Sequence, residues 1–324
     1  MTTILFTDTH FGIKQNSITW FNSQKDFIVN QLIPYIKTID DDVRLVHLGD
    51  VFDSRSTIST YIATNVVELF KELKSIVKEF IVIGGNHDYY SPTTDRIDTL
   101  NLLLNNLDIT LVTQQSLIIG PDMFVPWYQW LESYDKTIEL IREYGVKNVY
   151  THADIVTTPP QIPGVKIYSG HVHTPKIVKG LFNLGSCYNL DFSDSNGDRG
   201  FYVISNDGKF NDDKFLFIKN TKSLTFKRLY NDDIFNSDIK INKNDYIEIY
   251  LLPENLQNEQ YIGKIAELSK LYKNMWVIPQ YYQESANNSY DVNIEKYDIA
   301  EMTRKNIPEN LLDKFNQILN NMNN

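Results

Sequence analysis

Five times along this chain, an apolar run of strand length stops at a cluster of Asp, Asn or His. The sharpest case is the run at 43–48, closed by Gly49 and Asp50 to give Leu-Gly-Asp-Val-Phe-Asp over 48–53. Asp8-Thr9-His10 follows a short apolar run at 4–7, and Gly85-Asn86-His87-Asp88 follows 80–83. Thr151-His152-Ala153-Asp154 and Ser169-Gly170-His171-Val172-His173 follow 146–150 and 165–168. A nearly unbroken apolar run is expected of a strand buried on both faces, and loops at the strand ends of such sheets carry chemistry. The pattern therefore predicts an α/β fold whose polar groups collect at one edge of a sheet.

The connecting segments agree with this. Between 18 and 39, Phe27, Ile28, Leu32, Ile33 and Ile36 recur at helical spacing, with Pro34 expected to kink or shorten the helix. Val66, Val67, Leu69, Phe70 and Leu73 give 57–77 a helical face. Strand, helix, strand, helix, strand is the α/β order. Asp95 or Thr94 is read as the cap of a helix running to Leu104, and a further helix over 134–144 ends at Gly145. Two short strands are expected around Gly120-Pro121-Asp122. Strands at 177–184, 200–204, 215–219 and 224–229, with a turn at Asn206-Asp207-Gly208, are expected to form a second sheet facing the first. Residues 230–244 are polar and mark a boundary. A β-α-β unit follows at 246–252, 256–272 and 275–281, then a linker at 284–293. After Pro308, a stripe of Leu311, Leu312, Phe315, Ile318, Leu319 and Met322 is suited to docking on the domain or on a partner. The expected division is 1–235, 236–285 and 286–324.

All six histidines can be placed. His47 lies inside an apolar run and reads as a buried supporting residue. His10, His87, His152, His171 and His173 sit in post-strand loops. With Asp8, Asp50 and Asn86, the four histidines His10, His152, His171 and His173 offer enough nitrogen and oxygen donors for two divalent ions, and Asp50 has two oxygens with which to touch both. The single Cys187 excludes a disulfide within the chain and a multi-cysteine zinc site, and points to a reducing compartment. Histidine-rich donors suit Mn, Fe or Zn better than Mg alone. His87 is free to protonate a leaving oxygen, and Asp88 is expected to hold its tautomer. Asp53 is a candidate support for a ligand histidine, with a turn role equally open. Arg55 reads as a surface ion pair or a phosphate contact, Arg199 as a turn residue, and Trp127 and Trp130 as core residues before base-stacking ones. Neither a signal sequence nor a membrane span is expected near the start, and no phosphate-binding lysine loop for ATP occurs. The formal charge of -10 argues against a protein that holds DNA by itself.

The combination Asp8-X-His10, Gly49-Asp50-X-X-Asp53, Gly85-Asn86-His87-Asp88, His152 and Gly170-His171-X-His173 resembles the calcineurin-like metallophosphoesterase superfamily. Within it, Val125-Pro126-Trp127, Gly-His-Val-His and Asp198-Arg199-Gly200-Phe201 make the chain similar to the Mre11/SbcD nucleases, particularly those of large tailed phages. The resemblance implies a four-layer αββα sandwich with a small C-terminal α/β cap. It implies one metal at Asp8, His10, Asp50 and His173, another at Asp50, Asn86, His152 and His171, and His87 as the catalytic histidine. It also implies Mn²⁺, with Mg²⁺ possible, and exonuclease and endonuclease action on DNA in the cytoplasm, a phage protein acting in that of its host. A homodimer and a Rad50/SbcC-like ATPase partner, bound through the C-terminal region, belong to the same expectation. The alternative is a phosphodiesterase or phosphatase for small phosphoesters or phosphoproteins. Protein phosphatases of the superfamily usually have Gly-Asp-X-X-Asp-Arg-Gly and Gly-Asn-His-Glu, and this chain departs from both.

Overall fold

The apolar runs become two facing sheets. A computed structural model describes residues 1–91, 94–192, 194, 197–205, 216–241, 245–272 and 274–279. In chain order the strands are β1 (Thr2–Phe6), β2 (Val43–His47), β3 (Glu79–Ile83), β4 (Tyr89–Ser91), β5 (Thr94–Asp98) and β6 (Thr110–Val112). Then come β7 (Leu117–Ile119), β8 (Asp122–Val125), β9 (Asn148–Thr151), β10 (Lys166–Ser169), β11 (Lys176–Val178) and β12 (Leu181–Asn183). The last are β13 (Gly200–Ser205), β14 (Leu216–Lys219), β15 (Thr225–Tyr230), β16 (Asp245–Leu251) and β17 (Met275–Pro279). One six-stranded sheet runs β14-β13-β1-β2-β3-β6, and the other runs β11-β12-β10-β9-β8-β7.

Strand alternation decides what each sheet face buries. Leu5, Val46 and Ile81 lie in register and turn toward the other sheet, where Phe124, Tyr150 and Tyr168 meet them. In that second sheet Phe124, Tyr150, Tyr168 and Phe182 stack in sequence, with ring centroids 4.9, 5.2 and 4.8 Å apart. Ile4, Leu45 and Phe80 turn the other way, against Phe27, Leu32, Ile62, Val66 and Phe70 of the helices Ile18–Phe27 and Thr60–Ser75 and of the helical segment Ile28–Leu32. On the far side, Ile138 and Ile141 of the helix Tyr134–Glu143 pack on Met123, Val149 and Ile167. The result is the αββα sandwich that the family resemblance implies. Arg44 joins the two sheets away from the chemistry-bearing loops, its guanidinium 2.6 Å from both Glu79 and Asp122.

Several local expectations need correcting. β13 and β14 are not in the facing sheet: β13 pairs antiparallel with β1 and extends the first sheet. Their alternation is the same in either sheet, and only long-range pairing chooses between them. The region 177–184 is a hairpin of β11 and β12, turning through Lys179 and Gly180 at positive φ. Ahead of Pro34 the helix widens into a π segment, Ile28–Leu32, rather than simply ending. Residues 94–98 are strand β5, and Asp98 caps the helix Thr99–Leu104 by accepting from Asn101 N–H at 2.7 Å.

The third sheet, β15-β16-β17, is parallel throughout and takes in Thr225–Tyr230, ahead of the polar stretch. Leu229, Ile247, Ile249 and Leu251 meet Tyr261 and Leu268 of the helix Glu259–Leu271. The 206–208 turn, the linker at 284–293 and the apolar stripe at 311–322 lie outside the described residues. Among the described residues, no helix is long and apolar enough to cross a membrane.

Candidate metal centre

The parallel strands β1, β2, β3, β9 and β10 all release their polar clusters at one edge of the sandwich. The turns there are tight. Asp8, His10, Asp50 and His171 have φ of 53, 42, 55 and 76°, a region rarely used by residues other than glycine and common at functional sites. Gly49, at φ 104°, comes one residue after Leu48, just past the end of β2; a Cβ there would lie 2.5 Å from His152 Nδ1. At Gly85 a Cβ would lie 2.2 Å from the backbone nitrogen of Asp50. These two glycines let three loops approach within contact distance.

Asp50 is placed between two groups of donors. Its Oδ1 accepts from the His87 backbone N–H at 2.8 Å. Its Oδ2 lies 3.6 Å from His10 Nε2 and 3.2 Å from His152 Nε2. On one side, Asp8 Oδ1 is 3.8 Å from both His10 Nε2 and His173 Nε2. On the other, Asn86 Oδ1 is 3.1 Å from His152 Nε2 and 2.8 Å from His171 Nδ1. The seven donors expected from the sequence are thus brought together, and Asp8, His10, His173 and Asp50, His152, His171 each offer ligand atoms within 4.8 Å of one another.

These donors fit divalent cations. His152 Nδ1 donates to the Leu48 carbonyl at 2.7 Å. That fixes the tautomer and turns the Nε2 lone pair toward the oxygens of Asp50 and Asn86. The ring nitrogens and oxygens that converge there can be joined only by a proton or by a cation. Among the described residues, both ring nitrogens of buried His10 lack a hydrogen-bond partner, an arrangement that is costly unless something else binds there. Electrostatics point the same way. Burial opposes charge on His10, but Asp53, Asp8 and Asp50 outweigh it and hold the imidazole up to about 10. Burial is likewise outweighed at His152, chiefly by Asp50, holding it at about 9. Asp50 and Asp8 are held below the ordinary carboxylate range by the facing histidines despite their burial. Groups that stabilise protons this strongly also stabilise metal cations.

The supporting residues are less legible in the sequence. Asp53 Oδ1 lies 3.5 Å from His10 Nδ1, on the side away from Asp50. His87 Nδ1 is 2.5 Å from the Asp53 carbonyl, and its ring meets that of His10 edge-on. Asp88 does not hold His87, contrary to expectation. It is fully buried and accepts from the N–H groups of Val51, Phe52 and Gly85. Its acceptor sites are used in tying the Asp50 loop to the Asn86 loop. Burial and the Asp50 charge push its carboxyl up to about 7 against those donors.

His47 is the buried supporting residue expected. Gly49 N–H donates to its Nδ1 at 3.2 Å, its Nε2 pairs with Thr9 Oγ1 at 3.0 Å, and Thr9 donates onward to Val51 O. Burial lowers it to about 3. Residues that sequence reasoning missed include Gln24, whose amide donates to the carbonyls of Thr9 and His10. A lone polar residue on the buried face of an apolar helix was the available signal. Asp194, whose Oδ2 lies 3.9 Å from His173 Nδ1, and buried Arg199, which pairs with Asp194 at 3.2 Å, had none. Arg199 is therefore a buried ion-pair residue as well as a turn neighbour. Arg55 is half-buried, with no ion pair among the described residues.

The calcineurin-like phosphoesterase family model matches residues 1–175, which carry all seven donors; only the supporting residues Asp194 and Arg199 lie beyond it. The chain belongs to this family. It is a metal-dependent phosphoesterase with a candidate two-metal site. Among solved structures it is similar to nuclease MPE of Pseudomonas putida, at 16% identity over 56% of this chain and 73% of that one, with a TM-score of 0.33. It is also similar to a 5'-nucleotidase precursor of Thermus thermophilus, at 13% identity over 69% of this chain and 55% of that one, with a TM-score of 0.42. No curated protein matches the chain. Likenesses this distant leave the substrate to be argued from the residues.

Proposed function

We propose that this phosphoesterase cleaves phosphodiesters, with DNA as the substrate class, in the manner of a Mre11/SbcD-type nuclease. The observation that carries the chemistry is the convergence on Asp50 Oδ2 of His10 Nε2 and His152 Nε2, at 3.6 and 3.2 Å. Asp8, His10, Asp50 and His173 would hold one ion, and Asp50, Asn86, His152 and His171 the other. When bound, the ions supply an activated water and charge neutralisation for the phosphate oxygens. Mn²⁺ is the metal proposed. His87 uses Nδ1 on the Asp53 carbonyl and keeps Nε2 for proton transfer to the leaving oxygen. Asp88, bound to three backbone N–H groups, acts on the loops and not on the proton.

Two features support a diester over a phosphoprotein. Asp53 is followed by Ser54-Arg55, and His87 by Asp88, where protein phosphatases of the superfamily usually carry Arg-Gly and Glu. The same reading includes a homodimer, a cap at 236–285 and a Rad50/SbcC-like ATPase engaging 286–324. Such a partner would supply phosphate contacts that a chain of charge -10 lacks. The second reading, a phosphoesterase for small phosphoesters, is supported by the same donor set, which does not depend on substrate size.

The test is hydrolysis of labelled duplex and single-stranded DNA, beside a small aryl phosphodiester and a monoester, with Mn²⁺ and with chelator. DNA cleavage that stops with chelator and returns with Mn²⁺ is the expected result. Turnover of only the small esters would replace the nuclease reading with the second one. His87→Ala should keep its metal content and lose about 10²–10⁴-fold in kcat; full activity would remove His87 from proton transfer.

A further inference from the structure

Next to the donors lies a cavity of about 440 Å³ that the hydrolytic chemistry does not use. His171 forms part of its wall, and Trp127, Trp130, Tyr134, Asp154 and Pro160 form much of the rest. It is tied to the loops that carry the donors. The Trp127 backbone N–H donates to Gly84 O at 2.9 Å, one residue before Gly85-Asn86. Asp154 stands two residues after His152. His171 Nδ1 is 2.8 Å from Asn86 Oδ1, so one side chain borders both the cavity and the donor cluster.

The lining is mostly aromatic and apolar, with one anion. Trp130 and Tyr134 meet edge-on, with centroids 5.4 Å apart, and Tyr134 is 37% exposed, so the rings edge a pocket and do not close a core. Asp154 is immobilised: Val156 N–H and Thr157 N–H each donate to Oδ1 at 2.9 Å, and the Thr157 hydroxyl donates to Oδ2. Three of about four acceptor positions are taken, leaving one. A fixed carboxylate repels a second phosphate, and an aliphatic chain would leave it unmatched. A flat ring bearing an N–H donor satisfies both the aromatic walls and the remaining acceptor.

We propose that this cavity is a nucleobase subsite, favouring bases with an exocyclic amino group, for the nucleotide whose phosphate is held at Asp50. Aromatic walls supply stacking, which tolerates any base, and Asp154 supplies preference by accepting from the amino group of adenine, cytosine or guanine. The subsite rests on the reading of the donor cluster as a phosphoester site, and makes that site one for nucleotides.

The test measures binding of non-hydrolysable 5'-phosphonates to the Mn²⁺-loaded full chain, by tryptophan fluorescence and calorimetry. The probes are the adenine and thymine deoxynucleoside phosphonates and the same sugar phosphonate without a base. The adenine compound should bind about tenfold more tightly than the baseless one, the scale of one base–aromatic stack. Trp130→Ala should shrink that gap to within about twofold without changing baseless binding, and Trp130→Phe should retain most of it. Asp154→Asn should lower adenine binding toward the thymine level. Equal binding of based and baseless compounds by the native chain overturns the subsite and leaves the phosphoester reading standing. So does a Trp130→Ala variant that keeps the gap or weakens both probes alike. If the metal-loaded chain binds none of the phosphonates, the phosphoester reading fails and the subsite with it.

Discussion

The two sides of the donor cluster are built differently. On the Asp50, Asn86, His152, His171 side, contacts are short and the key imidazole is fully buried. His152 is clamped through Nδ1 to the Leu48 carbonyl at 2.7 Å, and Asn86 Oδ1 lies within 3.1 Å of two ring nitrogens. On the Asp8, His10, His173 side, separations are 3.5–3.9 Å, His10 has no hydrogen-bond partner among the described residues, and His173 is 33% exposed. On the first side the imidazole is clamped by the fold; on the other, Asp8 is fixed by Thr7 Oγ1 at 2.8 Å, but His10 and His173 rely on longer contacts from Asp53 and Asp194. Preorganised ligands bind metal more tightly because less ordering remains to be done. The Asp50–His152 side should therefore fill first and release last.

Asp50→Ala tests what the sides share, and its effect should be the largest. Elemental analysis should find less than one ion per chain, and hydrolysis should fall at least about a thousandfold, since the charge-stabilising assembly is lost. Retention of two tight ions would show that the carboxylate is not shared. The contrast between sides is broken or upheld by two single substitutions. His152→Ala should weaken the tighter ion by at least about a hundredfold, whereas His173→Ala should leave it within about threefold. Titration with Mn²⁺ followed by calorimetry reads both, and the opposite ranking would reverse the comparison.

His47 sharpens the same contrast from beneath the Asp50 loop. Its folded value, about 3, lies below the unfolded value of 6.5, so the fold favours the neutral ring. The stability it contributes is complete above about pH 6.5 and is lost as pH falls toward 3, at about 1.4 kcal/mol per pH unit. A protonated ring could no longer accept from Gly49 N–H. With chelator present, so that ligand protonation is common to both proteins, His47→Gln should flatten this acid limb in urea unfolding measured against pH. An unchanged slope would detach His47 from the loop. The smallest effect belongs to Asp194→Asn, which should weaken the looser ion by less than the roughly tenfold usual for a supporting contact, because 3.9 Å is a long reach. A change in the tighter ion instead would mean that Asp194 acts through the shared carboxylate.

Much of this was legible before any fold was known. The strand ends at Asp8, Asp50, Asn86, His152 and His171 could be read because buried parallel strands leave unbroken apolar runs, and because Gly, Asn, Asp and His have few reasons to recur directly after them. The helix at 60–75 and the β-α-β unit after the polar stretch were legible from periodicity. The sheet joined by β13 and β14 was not, since alternation records which face is buried and not which strand lies alongside. Asp88 shows the same limit at the site. Adjacency to His87 suggested a pair, yet the backbone turn points its carboxylate at Val51, Phe52 and Gly85.

The sequence by itself determined the donor types, their order and their delivery from strand ends, because these follow from local composition and spacing. Tertiary structure alone decided which donor faces which, that His10 lacks a hydrogen-bond partner among the described residues while His152 is clamped, and that Trp127 and Trp130 wall a cavity. Those outcomes depend on contacts between residues as far apart as Leu48 and His152, and such contacts exist only once the loops have been brought together.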